Sequence, residues 1–144
     1  MEEIKIGGRD IPLYYSTYEM IAIQKEIGCT AYELREKVFG IVQDDEDDPM
    51  SIRMECITDP EKTEKFGKLL AILGNAGLEE KGENGDLTGK WILRNIKPPM
   101  ISIYALAAMG VITDGNSVET PTAEEHEPVD EILEEQNAKK QPGN

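Results

Sequence analysis

The residues best suited to chemistry are five consecutive acids, Asp44 to Asp48, near the middle of the 144-residue chain. Asp44, Glu46, Asp48 and Glu55 stand at the first, third, fifth and twelfth positions of an EF-hand calcium loop. The sixth position, which needs glycine for a sharp turn, is Pro49. We therefore expect a solvated acidic loop without a metal site, and keep a calcium-responsive module as the minor alternative.

Catalytic chemistry has few candidate residues. His126 is the only histidine and lies among acidic residues close to the C-terminus. Cys29 and Cys56 are the only cysteines, and we expect both to be free thiols in a reducing compartment, with Cys29 in a packing role. No nucleophile with a base and an orienting group can be assembled, so we predict a non-enzyme with no catalytic, cofactor-binding or metal-binding residues.

The charge balance is strongly acidic, with 29 acidic and 15 basic residues and a formal net charge of -14. This field disfavours direct binding to nucleic acid or to an anionic membrane. The N-terminal residues lack the basic and apolar pattern of a targeting segment, and the apolar run from Met100 to Ile112 is too short to span a bilayer. We expect a cytoplasmic protein.

The elements that would position these residues are mostly helical. Alternating isoleucines around Gly7-Gly8 predict a β-hairpin over residues 3 to 14. Capping and stop signals predict four helices, which run from Ser16 to Ile27, from Thr30 to Phe39 before Gly40, from Asp59-Pro60 to Ala76 before Gly77, and from about Gly89 to Ile96. The segment from Met50 to Ile57 fits either a short strand or an irregular segment.

The most apolar stretch runs from Trp91 to Ile112 and is interrupted by Pro98-Pro99. The prolines predict a corner before a final core helix that ends near Ile112. We expect Trp91, Ile101 and Tyr104 in the core. Because so small a domain has difficulty burying the whole stretch, we assign Met100, Leu106 and Met109 to partner binding.

The remaining residues differ sharply in composition. Residues 113 to 144 hold nine acids and two lysines, and they have too few apolar residues to fold alone. We expect a helical domain over residues 1–112, followed by a flexible acidic tail over 113–144. A short helix near residues 128–138 would present Ile132 and Leu133 to a partner. The predicted fold class is mainly α: a small helical bundle with an N-terminal hairpin and a disordered acidic tail.

The order and spacing of several motifs resemble the tail assembly chaperones of long-tailed phages and prophages of Gram-positive bacteria. The resemblance covers about residues 3 to 112. It rests on I-K-I-G-G-R-D-I-P-L-Y-Y-S-T-Y-E-M, V-F-G-I with its acidic loop, D-P-E-K through F-G-K-L-L-A-I-L-G-N-A-G-L-E-E, and L-T-G-K-W-I-L-R-N-I-K-P-P-M.

This resemblance implies a non-enzymatic helper that coats the tape measure protein and keeps it soluble while tail tube subunits polymerise around it. It further implies action in the host cytoplasm, absence from the mature virion, and in many members a frameshifted longer form that recruits the tail tube protein. Ala138-Lys139-Lys140 is compatible with a slippery codon run. We also expect homo-oligomers.

A second functional hypothesis follows from charge alone. A protein with a net charge of -14 could imitate nucleic acid and inhibit a DNA-binding protein. The acids are concentrated in one loop and in the C-terminal segment, however, which is a poor imitation of a regular phosphate row.

Overall fold

The computed structural model describes residues 2–116. Two short antiparallel hairpins and five α-helices make up this range, and three 3₁₀ turns connect them. The strands are β1 (Glu2–Ile6), β2 (Arg9–Leu13), β3 (Ile41–Gln43) and β4 (Ile52–Met54). The α-helices are α1 (Thr17–Glu26), α2 (Leu34–Lys37), α3 (Pro60–Glu80), α4 (Gly89–Arg94) and α5 (Ile101–Asn116). The 3₁₀ turns are Ala31–Glu33, Glu55–Ile57 and Pro98–Met100. The predicted mainly α fold with an N-terminal hairpin is confirmed.

The β1–β2 hairpin closes at Gly7-Gly8, as predicted. Both glycines have positive φ, at 59° and 76°, which a tight two-residue turn requires and other residues rarely adopt. The register pairs Ile4 with Ile11 and Ile6 with Arg9. Ile6, Ile11 and Leu13 are fully buried, so the hairpin covers one side of the helices instead of standing alone.

Helix α1 begins with the predicted capping box. The backbone N–H of Ser16 donates to Glu19 Oε1 at 2.9 Å, and the Ser16 hydroxyl accepts from the backbone of the first turn. Glu19 is buried in this arrangement, with its carboxylate satisfied by the cap. The helix ends before Gly28, whose φ is 89°.

The second capping box also forms, but the helix after it is much shorter than predicted. Ala31–Glu33 is a 3₁₀ turn and α2 ends at Lys37, so no continuous helix reaches Gly40. The chain turns at Gly40 and enters β3, whose partner β4 resolves the ambiguity of the Met50–Ile57 segment. Phe39 and Val38 are buried beneath this turn.

Helix α3 is the centre of the fold and is longer than predicted. Asp59 caps it and Pro60 is its first residue, as predicted, but it continues through Gly77 to Glu80. A Cβ at position 77 would lie 1.9 Å from the carbonyl oxygen of Pro12, so glycine is needed there for strand β2 to approach. The predicted helix stop at Gly77 was wrong because that glycine serves packing within the helix.

Two further helix ends differ from prediction. Helix α4 stops at Arg94, and Ile96 lies beyond it, still buried. Helix α5 continues to Asn116, four residues past the expected end at Ile112. The expected tail beyond Asn116, with its candidate helix near 128–138, lies outside the described residues.

Candidate interaction surface

Helix α5 is set against the hairpin by the corner at Pro98-Pro99. Lys97 has the extended conformation expected before proline, and the two prolines form the start of a 3₁₀ turn that leads into α5. One side of α5 packs inward through Ile101, Ala105, Ala108 and Ile112, all buried. Their spacing of four, three and four residues is that of one helix face.

A side-chain hydrogen bond fixes the helix to the first strand. The Tyr104 hydroxyl donates to the carbonyl oxygen of Lys5 at 2.6 Å, across 99 positions of sequence. This bond sits at the outer edge of β1, where the strand has no neighbour on the side away from β2 in the described fold. Together with the buried side chains of the inward face, it holds the rotation of α5 and so keeps the opposite face outward.

The outward face of α5 begins with large apolar side chains. Met100, at the corner, is 39% exposed, Ile103 is 54% exposed and Leu106 is 59% exposed. Gly110 continues this line, and a Cβ there would have no atom within 4 Å. We call Met100, Ile103, Leu106 and Gly110 the α5 stripe.

The stripe borders a shallow groove between α5 and β1. Ile103, Leu106 and Ala107 line one wall, and Ile4 with the neighbouring residues of β1 lines the other. Ile4 is half-buried, and the other residues on that wall, Glu2, Glu3 and Lys5, are charged. An exposed apolar stripe bordered by polar residues is typical of an interaction site.

The predicted partner-binding residues fall in three different places. Met100 and Leu106 are exposed on the stripe. Met109 is half-buried on another side of α5, in a depression shared with Leu34 and Phe39, so it is not brought together with them. Ile132 and Leu133 lie outside the described residues. Ile103 was missed, although its place three residues after Met100 and three before Leu106 was a usable signal.

Of the three residues expected in the core, only one is buried. Ile101 is buried, whereas Trp91 and Tyr104 are only half-buried at the surface of the core. Trp91 lies beside the hairpin turn, where a Cβ on Gly7 would come within 3.3 Å of its ring. Both aromatic side chains therefore fix the hairpin against the C-terminal helices.

The acidic loop joins β3 to β4 and is organised by its own hydrogen bonds. Arg53 Nε donates to both carboxylate oxygens of Asp44 at 3.1 Å, and the Gln43 amide donates to the carbonyl oxygen of Asp45 at 3.0 Å. Asp48 Oδ1 accepts from the backbone N–H of Met50 at 2.9 Å. These contacts build a compact turn at the end of the β3–β4 hairpin.

Three of the four side chains that the EF-hand spacing assigned to calcium, those of Asp44, Asp48 and Glu55, are directed to other partners. Glu55 lies 3.4 Å from Arg53 and 3.7 Å from Lys62, away from the loop tip. Among residues 2–116, no group of three His, Cys, Asp or Glu side chains is arranged to hold a metal ion.

Both cysteines are buried free thiols, as predicted. Burial raises the pKa of Cys29 and of Cys56, so neither is a thiolate near neutral pH. The packing role expected of Cys29 agrees with its place in the hydrophobic core.

Comparison with known proteins adds no relative. No family model, curated protein or solved structure matches this chain. None of the helices within residues 2–116 has the length and apolar character needed to cross a membrane.

Proposed function

We propose that this protein is a non-enzymatic tail assembly chaperone of a long-tailed phage or prophage, and that it binds and solubilises the tape measure protein during tail tube assembly. The observation that carries the proposal is the α5 stripe: three large apolar side chains stay exposed on a folded, strongly acidic domain. Exposed apolar surface suits the apolar face of a client helix, and the net negative charge suits solubility of the resulting complex.

The groove beside the stripe supports a helical client. Met100, Ile103 and Leu106 recur at three-residue spacing, which is the spacing that an amphipathic helix meets when it packs along another helix. β1 forms the opposite wall of the groove. A client helix lying there would contact both walls and remove their apolar surface from water.

The same proposal includes the cellular context that the family resemblance implies. The protein acts in the host cytoplasm and is absent from the mature virion. A frameshifted longer form, arising near Lys139-Lys140, would recruit the tail tube protein. The gene sequence tests that last element, because it requires a slippery run and an overlapping downstream frame.

Co-expression tests the central claim. The tape measure protein encoded beside this gene is produced alone, with the wild-type chain, and with Leu106→Lys, and its soluble fraction is measured. We expect the wild type to make the client soluble and Leu106→Lys to lose most of that effect. Met50→Lys is the matched control, since Met50 is an exposed apolar side chain of similar size that lies on the β3–β4 loop and not on α5.

The outcomes separate the proposal from its rival. Equal client solubility with and without the wild-type chain would overturn it. The acidic inhibitor hypothesis instead expects the chain to compete with DNA for a basic protein, with an affinity that falls steeply with salt. Asp44 and Glu55 are both paired with Arg53, so these two carboxylates are less available to imitate phosphate groups.

A further inference from the structure

The α5 stripe has a projecting end and a recessed end. Ile103 and Leu106 project from the N-terminal half of the helix, whereas Gly110 leaves open space in the C-terminal half. At 3.6 residues per turn, these three positions lie on one side of the helix. A helix packed along the stripe would therefore meet a projection at one end and a recess, which permits close approach, at the other.

Opposite charges mark the two ends of the same helix. Lys97 precedes the 3₁₀ turn at the N-terminal end, and Asp114 lies in the last turn of α5; both are exposed. Neither forms an ion pair with any other residue in the range 2–116. Asp114 also lies at the negative end of the helix dipole, where an acidic side chain is unfavourable unless a cation compensates it.

These features complement one another when the helix is paired with an antiparallel copy of itself. A two-fold axis passing close to Leu106 sets Ile103 of each copy opposite Gly110 of the other. It also brings Lys97 and the positive helix end of one copy toward Asp114 of the other. The projection meets the recess and the opposite charges meet, once at each end of the pair.

We propose that a second copy of this chain covers the α5 stripe through an antiparallel α5–α5 pair. This inference concerns the protein on its own and stands apart from the proposed chaperone function. If both are right, the dimer shields the stripe from aggregation until a client helix replaces the second copy.

Sedimentation velocity of the full chain, over a range of concentrations, tests the pair. We expect a reversible dimer. Leu106→Lys places two like charges at the centre of the interface and should weaken dimerisation by about tenfold or more. Met50→Lys, at a side chain 87% exposed on the β3–β4 loop, should leave dimerisation unchanged. Circular dichroism should show that both variants remain folded, because neither side chain is buried.

A charge exchange tests the antiparallel register. Lys97→Glu and Asp114→Lys should each weaken the homodimer, because each sets like charges together at both ends of the pair. Mixing the two single variants should restore association, since every contact in the mixed dimer then joins opposite charges. The double variant should also dimerise as the wild type does.

Four results would overturn the pair: a wild type that is monomeric throughout, an assembly of more than two copies, a dimer that Leu106→Lys does not weaken, or single variants whose mixing restores nothing. Tape measure solubilisation is measured separately, so a monomeric chaperone and a dimer without chaperone activity are distinguishable.

Discussion

Helix α5 is more apolar than helix α3, but its side chains are less completely buried. α3 has seven charged residues among 21, and α5 has one, Asp114, among 16. Yet α3 buries ten residues, including Phe66, Leu69 and Leu70, whereas α5 leaves Ile103 and Leu106 more than half exposed. The more apolar helix is thus the less completely covered.

Neighbouring elements explain the difference. α3 is approached by β2, where the Tyr14 N–H donates to the Leu73 carbonyl oxygen at 3.1 Å. The segment before α4 approaches from another side, where the Asn75 amide exchanges two hydrogen bonds with the backbone of Leu87 at 2.7 and 3.0 Å. α5 is the last helix described, and its stripe receives no comparable element within residues 2–116.

Apolar content alone therefore does not determine burial in a domain of this size. A helix is buried only on the sides that other elements of the fold cover. Apolar side chains on its remaining sides stay exposed, where they can contact another molecule. The stripe is apolar surface that no element within residues 2–116 covers, and the following substitutions test this difference in burial between α3 and α5.

The largest expected effect is that of side-chain truncation in α3. Leu70→Ala removes a fully buried side chain and should lower the free energy of unfolding by about 3 kcal/mol, from lost apolar burial and the cavity left behind. The matched change in α5, Leu106→Ala, should cost less than about 1 kcal/mol because that side chain is mostly in solvent. Urea denaturation at low protein concentration measures both, and equal losses would contradict the comparison.

The next largest loss of stability is expected where strand β2 packs closely against Gly77 of α3. Gly77→Ala places a Cβ against the Pro12 carbonyl oxygen, a backbone atom that cannot rotate away. Strand β2 must shift to make room, so we expect a loss of about 2 kcal/mol, in the range of overpacking substitutions. Thermal unfolding measures the loss. An unchanged midpoint would mean that β2 is not held against α3 as described.

Replacing a glycine by alanine in α5 should raise the free energy of unfolding instead of lowering it. Gly110→Ala meets no atom within 4 Å and lies in a helix interior, where alanine is favoured over glycine by about 1 kcal/mol. We therefore expect a small stabilisation in dilute solution, measured by the same unfolding experiment as Gly77→Ala. Destabilisation of the dilute protein would show that position 110 is covered by another part of the chain.

Local signals predicted most of the fold correctly. Ser16 with Glu19, Thr30 with Glu33, Asp59 with Pro60, and Gly7 with Gly8 each act within a few residues, so their geometry could be inferred without tertiary information. Gly77 could not be placed correctly, because a helix stop and a packing glycine look alike until Pro12 is known to lie against it.

The candidate surface was predictable only in part, for the same reason. The surplus of apolar residues in Trp91–Ile112 indicated exposed surface, and Met100 and Leu106 are found there. The face that is exposed depends on the rotation of α5, which is held by the Tyr104 contact with Lys5 across the chain. That contact is non-local, so the half-buried position of Met109 on another side of α5 could not be inferred from the sequence.

The smallest expected effect is a pH dependence in the local stability of residues 30–37, which lie beside Met109 of α5. The backbone N–H of Thr30 donates to Glu33 Oε1 at 2.9 Å, and this bond, together with Lys37, lowers the pKa of Glu33. A carboxyl whose pKa is lower in the folded state stabilises it above the unfolded pKa, and that contribution is lost as pH falls through the folded pKa. Acidification should therefore loosen residues 30–37 and widen the exposed surface of α5 beyond the stripe.

Hydrogen exchange at the Thr30 amide measures this loosening. Glu33→Gln should flatten its pH dependence, Glu36→Gln on the exposed side of α2 should preserve it, and an amide equally protected at every pH would refute the coupling.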